Sequence, residues 1–103
     1  ALADVVRGIA MFRNDKIDIP VLGLVENMAW FTPAELPENR YYLFGKEGVK
    51  MLAERQKLPL LAQIPLIQSV RESGDAGRPV SAKTDAASEY YDLLANNIVR
   101  ELP

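Results

Sequence analysis

The chain has 103 residues, of which 49% are hydrophobic and 25% are charged, and its net charge is −2. This length suits one domain, and this composition is typical of a globular protein rather than a disordered one. Cysteine and histidine are absent. Their absence excludes disulfides, zinc sites built on these residues, and Ser-His-Asp or Cys-His catalysis.

The distribution of charged and apolar residues indicates which binding partners and which cellular compartment to expect. The basic residues are scattered along the chain, so we expect no nucleic-acid binding. No apolar run approaches the roughly 20 residues that span a bilayer, and we expect no membrane association. No signal peptide is visible, which favours the cytoplasm.

The first predicted element is an amphipathic helix over residues 1 to about 14. Apolar side chains recur there at three- and four-residue spacing, beginning at Leu2. No Ser, Thr, Asp or Asn precedes Leu2 as a cap, so we expect a piece of a longer protein. The alternative is that an initiator Met was removed before Ala1.

A buried strand and a hairpin are predicted next. The run over residues 21–25 is continuously apolar, which is typical of a strand that is buried on both faces in a parallel sheet. Two short aromatic segments then flank a turn rich in Pro and Glu, which predicts a small β-hairpin over about 28–44. Its aromatic side chains form either an exposed recognition patch or the local packing of the hairpin, and both interpretations stay open. These side chains are Trp30, Phe31, Tyr41, Tyr42 and Phe44.

The second half of the chain continues the alternation of helices and strands. Its predicted elements are a helix over 45–57, a buried strand over 60–65, a short helix over 66–73, a loop over 73–79, and a final helix from a cap at Thr84 or Asp85 to about Leu102. This order indicates an α/β fold with a right-handed βαβ unit. Two parallel strands make no stable sheet alone, so we expect missing strands, an unpaired sheet edge and self-association.

No complete phosphate-binding or catalytic motif is present. Gly45-Lys46 is followed by Glu47 where a Walker A loop needs Ser or Thr, and Arg40 stands where its first Gly belongs. We interpret this segment as the start of a helix. The carboxylates show no pairing for acid–base chemistry, so we predict no catalytic residue and no metal ligand.

Two residues are candidates for ligand binding from their positions. Asn27 follows the first predicted strand, and ligands of open α/β sheets bind at the carboxyl ends of strands. Its amide could match the edge of a base, or it could simply cap a turn. Pro65 ends the second predicted strand at the level of Asn27. It could line a ligand pocket there, or it could only end the strand.

Several segments resemble the Mrp/ApbC/Nbp-type ATPases, which are iron–sulfur cluster carriers with a deviant-Walker P-loop fold. The segments are 3–12, 19–31, 44–45, 52–54, 59–66 and 71–80, and they cover nearly the whole chain in order. The resemblance implies a partial P-loop NTPase fold, Rossmann-like and three-layered, with parallel strands and flanking helices. Residues 1–103 would be the C-terminal part of a single ATPase domain, with the hairpin over about 28–44 as an insertion.

The resemblance also implies a function for the intact protein. It would bind ATP with magnesium, form a homodimer and serve iron–sulfur client or scaffold proteins, with Asn27 contacting the adenine and Pro65 lining the adenine side. The Walker A, switch and Walker B elements would precede residue 1, so we expect no ATPase activity from the isolated chain. Many family members carry Cys-x-x-Cys before the Phe-Gly pair, whereas residues 32–43 contain no cysteine. The usual cluster site is therefore absent, and a bound cluster is doubtful.

Two other functions stay open. The chain could belong to a related P-loop ATPase that partitions or positions cargo, or it could be a non-catalytic interaction module built around the aromatic hairpin. The residues before Ala1 would separate the two ATPases, because an N-terminal MIP18-like extension favours the cluster carrier. Nucleotide binding by the intact protein would argue against the interaction module.

Overall fold

The structure is a computed structural model and describes residues 1–67 and 87–103. Its elements in chain order are α1 (Leu2–Phe12), β1 (Leu24–Thr32), β2 (Tyr41–Tyr42), α2 (Gly48–Gln56), β3 (Leu60–Ile67) and α3 (Ser88–Glu101). β1 is the central strand of a sheet of order β2-β1-β3, antiparallel to β2 and parallel to β3. The predicted α/β class, with a parallel strand pair and flanking helices, is confirmed.

Some predicted boundaries are wrong. β1 begins at Leu24 and ends at Thr32, whereas the apolar run predicted a strand over 21–25. α2 begins at Gly48, so the Gly45-Lys46 pair precedes the helix. β3 continues to Ile67, where the prediction placed the first residues of a short helix. The rest of that helix, the loop over 73–79 and the predicted cap of the final helix lie outside the described residues.

The core is formed by side chains of the helices and of the sheet. α1 contacts α2, and both α2 and α3 contact β3. The buried apolar side chains are Ile9, Ala29, Trp30, Val49, Leu52, Ala53, Leu61, Ala62, Ile64 and Ala87. Within the two described ranges, no helix is long and apolar enough to cross a membrane.

The first irregularity of the β1–β3 ladder adds a residue to β3. The consecutive residues Leu24 and Val25 of β1 pair with residues two apart in β3, so Leu61 is an extra residue between them. A bulge leaves its extra residue outside the ladder pairing. The side chain of Asn97 in α3 donates a hydrogen bond of 2.7 Å to the carbonyl oxygen of Leu61. This bond gives the carbonyl group of the extra residue a hydrogen-bond donor and connects α3 to the sheet.

The second irregularity lies in β1. The parallel ladder runs to Asn27 and resumes at Phe31, so that residues 28–30 lie opposite Pro65 alone. Proline has no N–H to donate to a ladder. Met28 has a φ of 56°, in the left-handed region that non-glycine residues rarely adopt. β1 therefore deviates from a regular strand at residues 28–30, between the two stretches that pair with β3.

The predicted hairpin is confirmed. Trp30 pairs with Tyr42 across β1 and β2, and the adjacent residues pair likewise. Trp30 is only 7% exposed. Its ring lies 6.0 Å from that of Tyr42 and 5.9 Å from that of Tyr90 in α3, and the Arg40 guanidinium lies 4.1 Å from its centre. The central ring of the aromatic set is thus packed between hairpin and helix, while Tyr41 is exposed.

Candidate functional site

A cavity of about 310 Å³ opens beside the first half of β1. Its wall consists of residues 24–28 of β1, Phe44, and apolar side chains from α1 and α2. A mostly apolar concavity with few polar groups is the usual form of a binding site. The polar side chains in this wall are those of Glu26 and Asn27, and they decide what the cavity can recognise.

Glu26 is the buried charged side chain of the described residues, with 4% exposure. Its Oε1 accepts a hydrogen bond of 2.9 Å from Nε2 of Gln63, the residue opposite it in β3. Its Oε2 has no hydrogen-bond partner within the ranges 1–67 and 87–103. A buried carboxylate oxygen without a donor is unfavourable, so this atom is an acceptor available to a further group.

The sequence prediction missed Glu26. It treated the Glu26-Asn27 pair as the end of an apolar strand, because charged residues are rarely buried unless they are paired. The available signal was Gln63, a second polar residue inside the second predicted strand. Two polar side chains at one level of adjacent strands can hydrogen-bond to each other, and here Gln63 donates to one of the two carboxylate oxygens of Glu26.

Asn27 lies inside β1, so the prediction that it follows the strand is wrong. It stands where the regular parallel ladder stops, and its side chain is exposed at the cavity. Its Oδ1 accepts a hydrogen bond of 3.0 Å from the backbone N–H of Met28. This bond joins neighbouring residues within β1, so Asn27 caps no turn here. Within the described part of the chain, the Nδ2 hydrogens have no acceptor and can meet a ligand.

Pro65 lies inside β3 and is buried, so the prediction that it ends this strand is wrong. It is absent from the cavity wall. Pro65 directly follows Ile64, the ladder partner of Asn27, and the two predicted site residues are therefore neighbours across the sheet. Only Asn27 presents an exposed side chain, and nucleotide binding by either residue stays a prediction.

Gly23 brings the two parallel strands close together just before the cavity. A Cβ at this position would lie 2.7 Å from Cγ of Leu61 and 2.8 Å from the carbonyl oxygen of Pro59. Real Cβ atoms do not approach other atoms this closely, so only glycine fits without a shift of β3.

Comparison with known proteins agrees with this architecture. The model of the ParA family, described as NUBPL iron-transfer P-loop NTPase, matches residues 1–99. A protein of Arabidopsis thaliana, "Iron-sulfur protein required for NADH dehydrogenase, mitochondrial", is 45% identical over 104 residues, which cover 99% of this chain and 32% of that protein.

Two further relatives are similar over nearly the same range. The "Iron-sulfur cluster transfer protein NUBPL" of Dictyostelium discoideum is 37% identical over 99% of this chain and 31% of its own length. The "Iron-sulfur cluster carrier protein" of Synechocystis is 38% identical over 95% of this chain and 28% of its own length. The chain thus spans about a third of the length of the curated relatives it matches.

These matches confirm the resemblance to iron–sulfur carrier ATPases that the sequence segments indicated. They also explain the sheet, because a parallel strand pair with flanking helices is part of a P-loop NTPase fold. Since the family model covers residues 1–99, the chain belongs to the NUBPL iron-transfer P-loop NTPases of the ParA family.

Proposed function

We propose that the intact protein binds ATP and transfers iron–sulfur clusters, and that this segment forms the adenine side and part of the dimer or partner surface. The observation that carries the proposal is the family match over residues 1–99. The names of the relatives support it, since each describes an iron–sulfur protein, carrier or transfer protein. A homodimer and iron–sulfur client or scaffold proteins as partners belong to the same proposal.

The cluster in this proposal is cargo, and this segment supplies no thiolate to it. The chain has no cysteine, and carboxylates or tyrosines are poor ligands for iron–sulfur clusters. Ligands for the cargo therefore come from residues outside this segment. Iron and sulfide analysis of the intact protein after anaerobic reconstitution tests whether the protein carries a cluster. The absence of a stoichiometric cluster would argue for another task of the ATPase fold.

Asn27 is the residue of this segment that we assign to the adenine. Its Oδ1 already accepts the Met28 N–H, so the group left for a ligand is the Nδ2 amino group. An amide N–H donates well to an unprotonated ring nitrogen of adenine. We assign Pro65 an indirect part on the adenine side, because it lies beside the irregular residues that follow Asn27.

The test separates the ligand contact of Asn27 from its local hydrogen bond. Asn27→Asp keeps an oxygen for the Met28 N–H and removes the Nδ2 donors. We expect it to weaken ATP binding by the intact protein about tenfold or more, which corresponds to one lost hydrogen bond. Isothermal titration calorimetry with ATP and magnesium gives the affinity, and urea denaturation checks that the fold is kept.

Asn14→Asp is the matched control. Asn14 is also exposed and also accepts a local backbone hydrogen bond, from the N–H of Lys16 at 2.9 Å, but it does not line the cavity. We expect it to leave ATP affinity unchanged. Equal affinities of the Asn27→Asp protein and the unmodified protein would show that the adenine assignment is wrong.

The cytoplasmic location stays a prediction, and the name of the Arabidopsis relative places that protein in the mitochondrion.

A further inference from the structure

The alternation of side chains along β1 changes at Met28. Buried Glu26 lies between two exposed neighbours, as the two-residue period of a strand requires. Met28, however, is exposed directly after exposed Asn27, and Ala29 is then buried. The φ of Met28 is 56°, and a left-handed residue within a strand is typical of a bulge that redirects the side chains after it. The conformation of Met28 therefore decides which face of the sheet the following residues occupy.

The side chain of Asn27 stabilises this conformation. Its Oδ1 accepts the Met28 N–H at 3.0 Å, at the point where the β1–β3 ladder is interrupted. Left-handed backbone is unfavourable for a residue that carries a Cβ, and it persists where the surrounding structure fixes it. The bond from Asn27 is such a contact, so the residue that we assign to the adenine also positions the backbone that follows it.

The hairpin begins directly after Met28. The carbonyl oxygen of Ala29, a fully buried residue, accepts the Leu43 N–H at 3.3 Å. Trp30 comes next, and its ring packs between Tyr42 of β2 and the helix α3. Since one residue more or less in a strand turns every later side chain to the other face, an extended Met28 would move the Trp30 ring away from these partners. The packing of the hairpin thus depends on the backbone of Met28.

We propose that Asn27 and Met28 couple the nucleotide site to the hairpin, so that a base bound to the Asn27 amino group stabilises left-handed Met28 and the hairpin contacts of Ala29 and Trp30. This inference rests on the proposed function, because it takes adenine as the group that binds Nδ2. Oδ1 and Nδ2 belong to one planar amide, so a ligand that fixes Nδ2 also fixes the oxygen that accepts the Met28 N–H. Such a coupling is reciprocal, and a well-packed hairpin in turn favours the bound nucleotide.

The support that Asn27 gives to the hairpin is tested in the intact protein without nucleotide. The readout is hydrogen exchange of the Leu43 amide, the donor to Ala29, and the Leu58 amide at the end of α2 is the internal control. Asn27→Leu removes the acceptor of the Met28 N–H and should make the Leu43 amide exchange about tenfold faster. Asn27→Asp keeps an oxygen there, and its exchange should stay within about threefold of that of the unmodified protein.

The conformation of Met28 is tested with the same readout. Met28→Val should accelerate exchange of the Leu43 amide about tenfold, because a β-branched residue is strained in left-handed backbone. Met28→Asn is the matched variant, since Asn tolerates this conformation, and its exchange should stay within about threefold. Equal exchange in the Met28→Val and Met28→Asn proteins, or in the Asn27→Leu and Asn27→Asp proteins, would overturn the proposal. If Met28→Val does not fold, the two Asn27 variants decide alone.

The coupling itself is tested with saturating ATP and magnesium. In the unmodified protein, ATP should slow exchange of the Leu43 amide about fivefold or more, as expected for a typical coupling between two sites, and should leave the Leu58 amide unchanged. The Asn27→Asp protein at saturating ATP should show no such slowing, because no amino group is left to connect the base to Met28.

The outcomes distinguish this inference from the proposed function. ATP binding in calorimetry with unchanged exchange of the Leu43 amide would overturn the coupling and leave the proposed function intact. Equal slowing at Leu58, or in the Asn27→Asp protein, would also overturn the coupling. Absence of ATP binding by the unmodified protein would overturn the proposed function, and the coupling with it.

Discussion

Asn97 Nδ2 lies 2.7 Å from the carbonyl oxygen of Leu61, the extra residue at the first bulge of β3. We predict that Asn97→Leu lowers the free energy of unfolding of the intact protein by about 1–2 kcal/mol, because it leaves a part-buried carbonyl without a donor. Urea denaturation measures the change. Asn96→Leu is the control, since Asn96 is exposed on the same helix and its replacement should cost less than about 0.5 kcal/mol. Equal changes in the two variants would show that the bond does not hold α3.

Gly23 and Gly8 should respond to alanine in opposite directions. The Cβ of Gly23→Ala would lie 2.7 Å from a Leu61 side-chain atom, and we expect a loss of about 1–3 kcal/mol through the forced shift of β3. Gly8 lies inside α1 with no atom within 4 Å of such a Cβ, so Gly8→Ala should gain about 0.5–1 kcal/mol through helix propensity. Thermal unfolding of the two variants tests the pair. A stable Gly23→Ala protein would contradict the close approach of the strands.

The Arg40 guanidinium covers the ring of Trp30, the single tryptophan of this chain. Arg40→Ala should raise the rate of acrylamide quenching of Trp30 fluorescence and cost about 0.5–1 kcal/mol, because the exposed cation–π contact is lost. Arg55→Ala, at an exposed position in the last turn of α2, should change neither quantity. Measurement requires that any tryptophan elsewhere in the intact protein be replaced first. Unchanged quenching in Arg40→Ala would contradict the stacking.

Lys57 ends α2 in a left-handed conformation with a φ of 57°. The Lys57 N–H donates to the carbonyl of Glu54, and the Leu58 N–H donates to that of Ala53, which is the bond pattern of a Schellman motif. Glycine adopts this conformation without strain, so Lys57→Gly should raise the free energy of unfolding by about 1 kcal/mol.

The control for this change is Lys50→Gly, in the first turn of the same helix. It should lower the free energy of unfolding by about 1 kcal/mol, because glycine is a poor helix former there. Differential scanning calorimetry distinguishes the two signs. A loss of stability in both variants would contradict the left-handed cap.

Local patterns were enough to predict most of the element types. The helix that begins at Leu2 follows from apolar spacing, and the hairpin follows from two aromatic segments around a turn rich in proline. Both signals are carried by residues close together in sequence, so they survive without knowledge of the fold. The P-loop family was also visible, because its segments recur in order along the chain.

The end of β1 could not be predicted in this way. Glu26 and Asn27 interrupt an apolar run, and in isolation a charged residue marks the end of a buried strand. The strand continues because Gln63, which is distant in sequence, lies opposite Glu26 and donates a hydrogen bond to it. Burial of a charge depends on its partner, and the partner is known only once the strands are paired.

The sequence by itself thus determined the order of helices and strands, the hairpin and the family, since these depend on local periodicity and on motifs. Only the tertiary structure decided the register of β1 and β3, the extra residue at Leu61 and the irregular segment opposite Pro65. It also showed that Asn27 lies within a strand, at an apolar cavity that contains a buried carboxylate oxygen without a donor. These features depend on atoms from residues far apart in the chain, and local propensity does not encode such distances.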